Sequence, residues 1–343
     1  SRVPDIVDNK GKVIAGKEGG YTGYKIGLIL TYEDTDNESN SDYRLINNGK
    51  IDFMGGNSIG IQIYAPGNIN GINAPKVTVK NNLYKEIILG GVASYGLKVS
   101  SRINQNSTIF NEGSISIKGD NTASYDLDDN PSTAPTGLFN GNNNSLSSGI
   151  AILEDSTLTN ASAIRAYKDK VKNIGTINVS GGQGNTGMVL ITKANDNITN
   201  DTTGTINVTG TKNIGMRVDL GNVTTEESGT LTPEAINKGT INITAGDQNI
   251  GMVANKKDIS GNKAVAMNTN SIRFFGEASK AIGMFASNGG EIVNNKDIKY
   301  DSDYDFTYTF MKLDANKNFV TLVESNVTTS DTNMTYAHAR SVA

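Results

Sequence analysis

The stretch "GNSIG" at residues 56–60 has the G-x-S-x-G spacing of a nucleophile elbow, in which a strained strand-to-helix turn presents a serine for acyl transfer. Ser58 would then need a histidine base and an acid behind it. The chain holds one histidine, His338 in "TYAHARSVA", close to its end and better read as a surface residue. Other residues with chemical potential are acidic. "DLDDN" at 126–130 brings Asp126, Asp128 and Asp129 together, an oxygen-rich group of the type calcium takes, without the glycine and distal glutamate of an EF-hand loop. "TYEDTDNESNSD" at 31–42 is a second acidic loop, and "DSDYD" at 301–305 reads as the solvent face of a strand. A thiol nucleophile, a thiolate metal site and a disulfide framework are excluded, because the 343 residues contain no cysteine.

The elements that would position these residues are repeated. "GTINVSGGQGNTGMVLI" begins at Gly175, "GTINVTGTKNIGMRVDL" at Gly204 and "GTINITAGDQNIGMVAN" at Gly239, followed by "SIRFFGEASKAIGMFAS" at Ser271. Weaker copies precede them, as in "GKIDFMGGNSIGIQIYA" from Gly49 and "YKIGLILTYE" at 24–33. One glycine recurs at 27, 60, 96, 149, 187, 215, 251 and 283, so the unit is roughly 33 residues. Ser58 aligns with Asn213, Asn249 and Ala281, and "IGIQIYA" after it alternates like a strand. The elbow therefore fails its structural context.

Each unit has three short segments. "TINVTG" alternates, placing Ile206 and Val208 on one face. "NIGMRV" is read with Ile214, Met216 and Val218 on one face and Arg217 on the other. A third segment, such as "AINKG" at 235–239, closes the unit. No single unit can bury its own face, whereas stacked units bury a continuous column. The expected fold is all-β: a parallel β-helix of about 8–9 coils over residues 1–300, with 301–343 a degenerate coil or cap. The 44 asparagines then have a purpose. Asn47, Asn111, Asn173, Asn237, Asn268 and Asn294 recur before the first strand, where left-handed tolerance and side-chain stacking at a corner are expected. N-x-T triplets, as at Asn207 and Asn242, are repeat chemistry rather than glycosylation acceptors.

Measured from the first strand to the repeat glycine, most copies need 9–11 positions. Val77 to Gly96 takes 19, and Ile115 to Gly149 takes 34. These predict lateral insertions at 81–93 and 119–147, beside the one at 31–42. The two consecutive ones would emerge side by side, and loops on a rigid scaffold often carry function. Tyr84, Tyr125, Asp126, Asp128, Asp129 and Phe139 are the candidate ligand-binding residues. A metal role for the aspartates stays open, and no cofactor is expected.

The unit "N-x-G-T-I-N-V-x-G-x-x-N-I-G-M", at 173–188, 202–216 and 237–252, resembles the passenger repeats of large fusobacterial type V autotransporter adhesins. The resemblance is strong over 170–295 and weaker over 24–165. It implies a surface-displayed passenger segment whose parent chain is anchored in the outer membrane by a barrel, and whose partners are host-cell or bacterial surface receptors, protein or glycan. It also implies that the parallel β-helix is right-handed, and it accounts for the missing cysteine. The repeat identifies scaffold and not ligand. A net charge of −4 and a pI near 5.2 leave no basic stripe for nucleic acid. A polysaccharide-cleaving enzyme on a β-helix would need carboxylate pairs or a carboxylate–arginine–lysine cluster across coils. Arg217 and Arg273 do not align with such a pair, so a non-catalytic protein is expected, and a plain structural stalk is the remaining alternative.

Overall fold

The computed structural model describes residues 25–31, 41–64, 75–100, 103, 106–119, 147–153, 168–192, 194–220, 231–256, 262–287 and 289–300, and the strands at 308–313, 319–322 and 337–341. The chain is a parallel β-helix with three sheets, and every described element of the coils is a strand.

The first sheet stacks Lys50–Phe53, Glu86–Leu89, Ser114–Ile117, Thr176–Val179, Thr205–Val208, Thr240–Asp247, Ser271–Ser279 and Ile298–Tyr300. The second stacks Lys25–Thr31, Ser58–Tyr64, Tyr95–Val99, Ser147–Leu153, Asn185–Thr192, Ile214–Leu220, Ile250–Lys256 and Ile282–Ser287. The third stacks Asp42–Asn47, Lys76–Asn81, Thr108–Asn111, Val171–Asn173, Asn197–Asn200, Glu234–Asn237, Val265–Asn268 and Glu291–Asn294. All neighbours among these are parallel, and the register follows the repeat, as in Ile177↔Ile206↔Ile241↔Ile272, with a bulge between Thr240–Asp247 and Ser271–Ser279 after Ile243. Beyond Ile282–Ser287 the second sheet continues with three antiparallel strands, Ala337–Ser341, Tyr308–Leu313 and Phe319–Leu322.

Alternation drives one face of each strand inward. Ile115, Ile177, Ile206, Ile241 and Ile272 of the first sheet meet Met188, Met216, Met252 and Met284 of the second and Val171, Ile198 and Ala235 of the third in one cluster that runs through the coils. Each is fully buried. Fully burying a side chain of this size is worth roughly 1.5–3 kcal/mol, so the column carries the fold. The repeat glycine is a steric requirement. A Cβ at Gly60 would stand 2.6 Å from the Gly96 carbonyl and 2.7 Å from Ile87 Cγ2. No side chain fits where the second sheet turns close over the first.

The glycine also shifts the strand's alternation. Ladder pairing steps over it, from Thr186↔Ile214 to Met188↔Met216. Ile214 therefore joins a separate cluster with Ile250, Val253 and Ile282, instead of sharing the inner face with Met216 and Val218 as the alternation predicts.

The asparagines form a continuous ladder at the third-to-first corner. Asn47, Asn81, Asn111, Asn173, Asn200, Asn237 and Asn268 each donate Nδ2 to Oδ1 of the next, ending on Asn294, at 2.8–2.9 Å. Asn81 and Asn200 complete the set read from the sequence. None of the eight has a positive φ, so left-handed tolerance is not why they are there. They end extended strands and satisfy one another in a dry corner. Of the seven left-handed non-glycine residues among those described, five lie at the first-to-second corner, Asn57, Ala93, Lys212, Gln248 and Lys280, with φ between 47° and 57°; Tyr84 and Asp169, at 63° and 60°, lie one at each of the other two corners.

The proposed insertion at 81–93 does not exist. Lys76–Asn81 belongs to the third sheet and pairs with Thr108–Asn111, while Glu86–Leu89 is the first strand of the same coil. Taking Val77 for a first-strand residue counted an ordinary turn and strand as extra chain. "KVTVK" alternates as well as "EIILG" does, and periodicity alone could not place either in its sheet.

Candidate functional site

Ser58 is a corner residue and not a nucleophile. It is fully buried, and its Oγ donates to the Gly55 carbonyl at 2.8 Å. Its N–H donates to Ser94 Oγ at 3.2 Å, and the Ser94 N–H donates to Ser147 Oγ at 3.0 Å. Further along the same corner, the N–H groups of Asn185 and Asn213 donate to Oδ1 of Asn213 and Asn249 at 2.8 and 2.9 Å. Serine and asparagine thus do one job at equivalent positions: each supplies an oxygen to the backbone of the coil before it. His338 lies in Ala337–Ser341, paired with Ile282 at the opposite end of the molecule.

Tyr125, Asp126, Asp128, Asp129 and Phe139 lie outside the described residues, as do the acidic stretch at 32–40 and Asp301, Asp303 and Asp305. The described chain runs to Gly119 and resumes at Ser147. Both anchor points are ordered by the stack: the Gly119 carbonyl accepts Asn185 Nδ2 at 2.6 Å. Tyr84 is described. It sits at a turn of the third-to-first corner, 88% exposed, with φ of 63°.

The three corners differ in how much chain they carry. At the third-to-first corner, successive strands are joined by 2–4 residues throughout, as at 48–49 and 201–204. At the first-to-second corner the joins are 2–5 residues, apart from 118–146 with 29. At the second-to-third corner they are 10 (32–41), 11 (65–75), 8 (100–107), 17 (154–170), 4 (193–196), 13 (221–233), 8 (257–264) and 3 (288–290). Join length therefore varies most along one edge, with one 29-residue join at another. Sequence reasoning measured only the first-to-second interval, and of the more variable edge it named 31–42 alone. The signal was available in the distance from each repeat glycine to the next asparagine of the ladder.

The second sheet also differs on its outer face. In the first sheet that face carries Thr176, Asn178, Thr205, Asn207, Thr240 and Asn242, all half-buried, with Asn242 Nδ2 donating to Asn207 Oδ1 and Asn207 Nδ2 to Asn178 Oδ1 at 2.9 Å. In the second sheet the outer residues are apolar and buried: Ile59, Tyr95, Ala151 and Val189 form one cluster, and Ile214, Ile250, Val253 and Ile282 another. Charged groups interrupt this face. The Arg217 guanidinium, 2% exposed, holds the Asp219 carboxylate through Nε to Oδ1 at 2.9 Å and through Nη2 to Oδ2. A small hollow beside it is lined by Tyr95, Ser148, Thr186, Val189, Ile191 and Arg217. Lys98 Nζ lies 4.5 Å from the centre of the Tyr95 ring. Burial pushes the Lys98 amine down to about 8. The neighbouring Gln62, 3% exposed, has an Oε1 with no hydrogen-bond partner among the described residues. Arginine, lysine and glutamine on an apolar, covered face give local polarity, and among the described residues the carboxylate shown beside them is Asp219, paired with Arg217. Among the described residues no group of three or more His, Cys, Asp or Glu side chains is placed to hold a metal ion.

Residues 189–313 match the family model of the BigA third pectate lyase-like domain. No curated protein and no solved structure shows significant similarity to the chain. The match covers the regular coils from the second-sheet strand Asn185–Thr192 to the antiparallel strand Tyr308–Leu313. It agrees with the β-helix that those residues form.

Proposed function

We propose that this chain is a segment of a surface-displayed adhesin of the autotransporter type, in which the β-helix is the scaffold and the joining segments meet other cells. The observation that carries the reading is the partition of the corners. One edge is held to 2–4 residues per coil by a buried amide ladder, and another varies from 3 to 17. A stack that keeps its rigid parts uniform while varying its projections suits presentation of binding loops. The repeat's resemblance to fusobacterial passengers and the similarity of 189–313 to a BigA domain support the same reading. Attachment is to bacterial or host cells, through protein or glycan receptors. The outer-membrane barrel belongs to a part of the protein beyond these 343 residues, and the segment is non-catalytic.

The test is binding of the purified chain to a glycan array and to intact cells, alongside a variant lacking 120–146. Saturable binding is expected, with loss of at least one ligand class on deletion and point variants at Tyr125, Asp126 and Phe139 following. If neither protein binds any cell or glycan, the segment is a spacer. If the chain instead depolymerises an acidic polysaccharide, the non-catalytic reading fails.

A further inference from the structure

Two turns of the third-to-first corner are four residues long and closed alike. In Asn82–Lys85 the Lys85 N–H donates to the Asn82 carbonyl at 3.0 Å, and in Asp201–Gly204 the Gly204 N–H donates to the Asp201 carbonyl at 2.7 Å. Each projects two residues. In the second turn these are Thr202 and Thr203, both exposed, with ordinary negative-φ backbone at Thr203. In the first they are Leu83 and Tyr84, 54% and 88% exposed. Tyr84 has φ of 63°. That is the third turn position, where a positive φ normally calls for glycine or asparagine, and a bulky ring there is strained. The threonine turn shows that the corner closes without an apolar pair and without strain. Two large hydrophobic side chains are held in water, one against its backbone preference, and backbone strain at an exposed side chain points to a role outside the fold.

We infer that Leu83 and Tyr84 form a contact tip that enters an apolar pocket on a protein receptor. This rests on the adhesin reading above. The chemistry favours protein over sugar. Leu83 would strip water from hydroxyl groups and offer no hydrogen bond in return. Two nearby polar side chains are already engaged: Asn82 Nδ2 donates to Asn48 Oδ1 at 2.5 Å, and Lys80 pairs with Glu112 at 2.8 Å. Met54 and Val92, 73% and 40% exposed at the other end of the same two first-sheet strands, extend the apolar character. Tyrosine and methionine are enriched at protein interfaces, and tyrosine dominates their energetic centres.

The experiment titrates fluorescently labelled chain onto intact epithelial and bacterial cells, untreated, trypsin-shaved or periodate-oxidised. It compares wild type with Leu83→Thr/Tyr84→Thr, which copies the threonine turn, and with Tyr84→Gly. Both variants are expected to bind at least tenfold more weakly. Tyr84→Gly should melt no lower than wild type, and up to about 3 °C higher, because the strain is relieved. Trypsin shaving should abolish binding and periodate should leave it intact. Wild-type binding that both variants retain would overturn the tip while leaving the adhesin reading standing. Binding lost to periodate and not to trypsin would overturn the protein receptor. Absence of wild-type binding to every cell would remove the adhesin reading, and the tip with it.

Discussion

The third-to-first and second-to-third corners are built by the same chain, coil by coil, yet they follow opposite rules. The first is closed by eight asparagines, seven of them buried, whose amides bond in series, and the joining segments never exceed four residues. The second has no such ladder among the described residues, and its joins range from 3 to 17. A ladder fixes spacing because each amide's donor and acceptor are both spoken for, and an added residue would orphan two neighbours in a dry corner. Where the stack imposes no such bond, insertions cost only the slow growth of loop-closure entropy. Uniformity at one edge is what allows variety at the other.

Replacing Asn200 by alanine should break this contrast most strongly. Asn173 Nδ2 loses its acceptor and Asn237 Oδ1 loses its donor, both buried. Leaving two buried amides short should cost about 3 kcal/mol, read from the denaturant midpoint at unchanged slope. A loss under about 1 kcal/mol would mean that water enters the corner and the ladder is not the constraint.

The two faces of the second sheet give the next test. Lys98 lies on the outer, covered face, and its folded-state value is about 8, below the usual lysine value of 10.5. The unfolded chain therefore binds more protons between those values. Stability should rise as pH increases from about 8 towards 10.5, and be flat with respect to this group below 8. The whole span corresponds to roughly 3 kcal/mol as an order of magnitude. Lys98→Met should remove that slope and raise stability at pH 7. If the slope survives in the variant, another group carries it.

Deleting 120–146 or shortening 154–170 should have the smallest effect. Neither removes a described strand, so the melting temperature should move by no more than about 2 °C. A collapse on either deletion would show that these segments build core.

The repeat, the three strands per coil and the glycine column were legible because each follows from a local rule: alternation, a steric limit at Gly60 or Gly215, and a corner amide. The ladder was legible in six of its eight rungs; Asn81 and Asn200 were hidden where the copies diverge. Assigning "KVTVK" to the wrong sheet created an insertion around Tyr84, because three short strands with the same alternation carry no mark of which sheet they enter. The burial of the second sheet's outer face was not legible either. Ile59 and Ile214 look like inner residues until the step over the glycine is known, and Arg217 reads as a solvent residue until its pairing with Asp219 is seen. Tyr84 was singled out for being aromatic in a supposed loop, whereas what distinguishes it is an 88% exposed ring on a left-handed backbone in a turn whose counterpart at Asp201–Gly204 closes without one.

The amide ladder and the sheets share a direction: all their bonds lie along the rod's axis, and the chain crosses that axis. Pulling on the two ends of the chain therefore loads one outermost coil at a time. A coil such as the one from Gly215 to Gly251 holds 36 residues. Once peeled, it pays out on the order of 120 Å of extended chain, where in the stack it occupied about 5 Å. A tether made this way yields in steps under tension and lengthens before it breaks, with each released amide leaving the next rung intact.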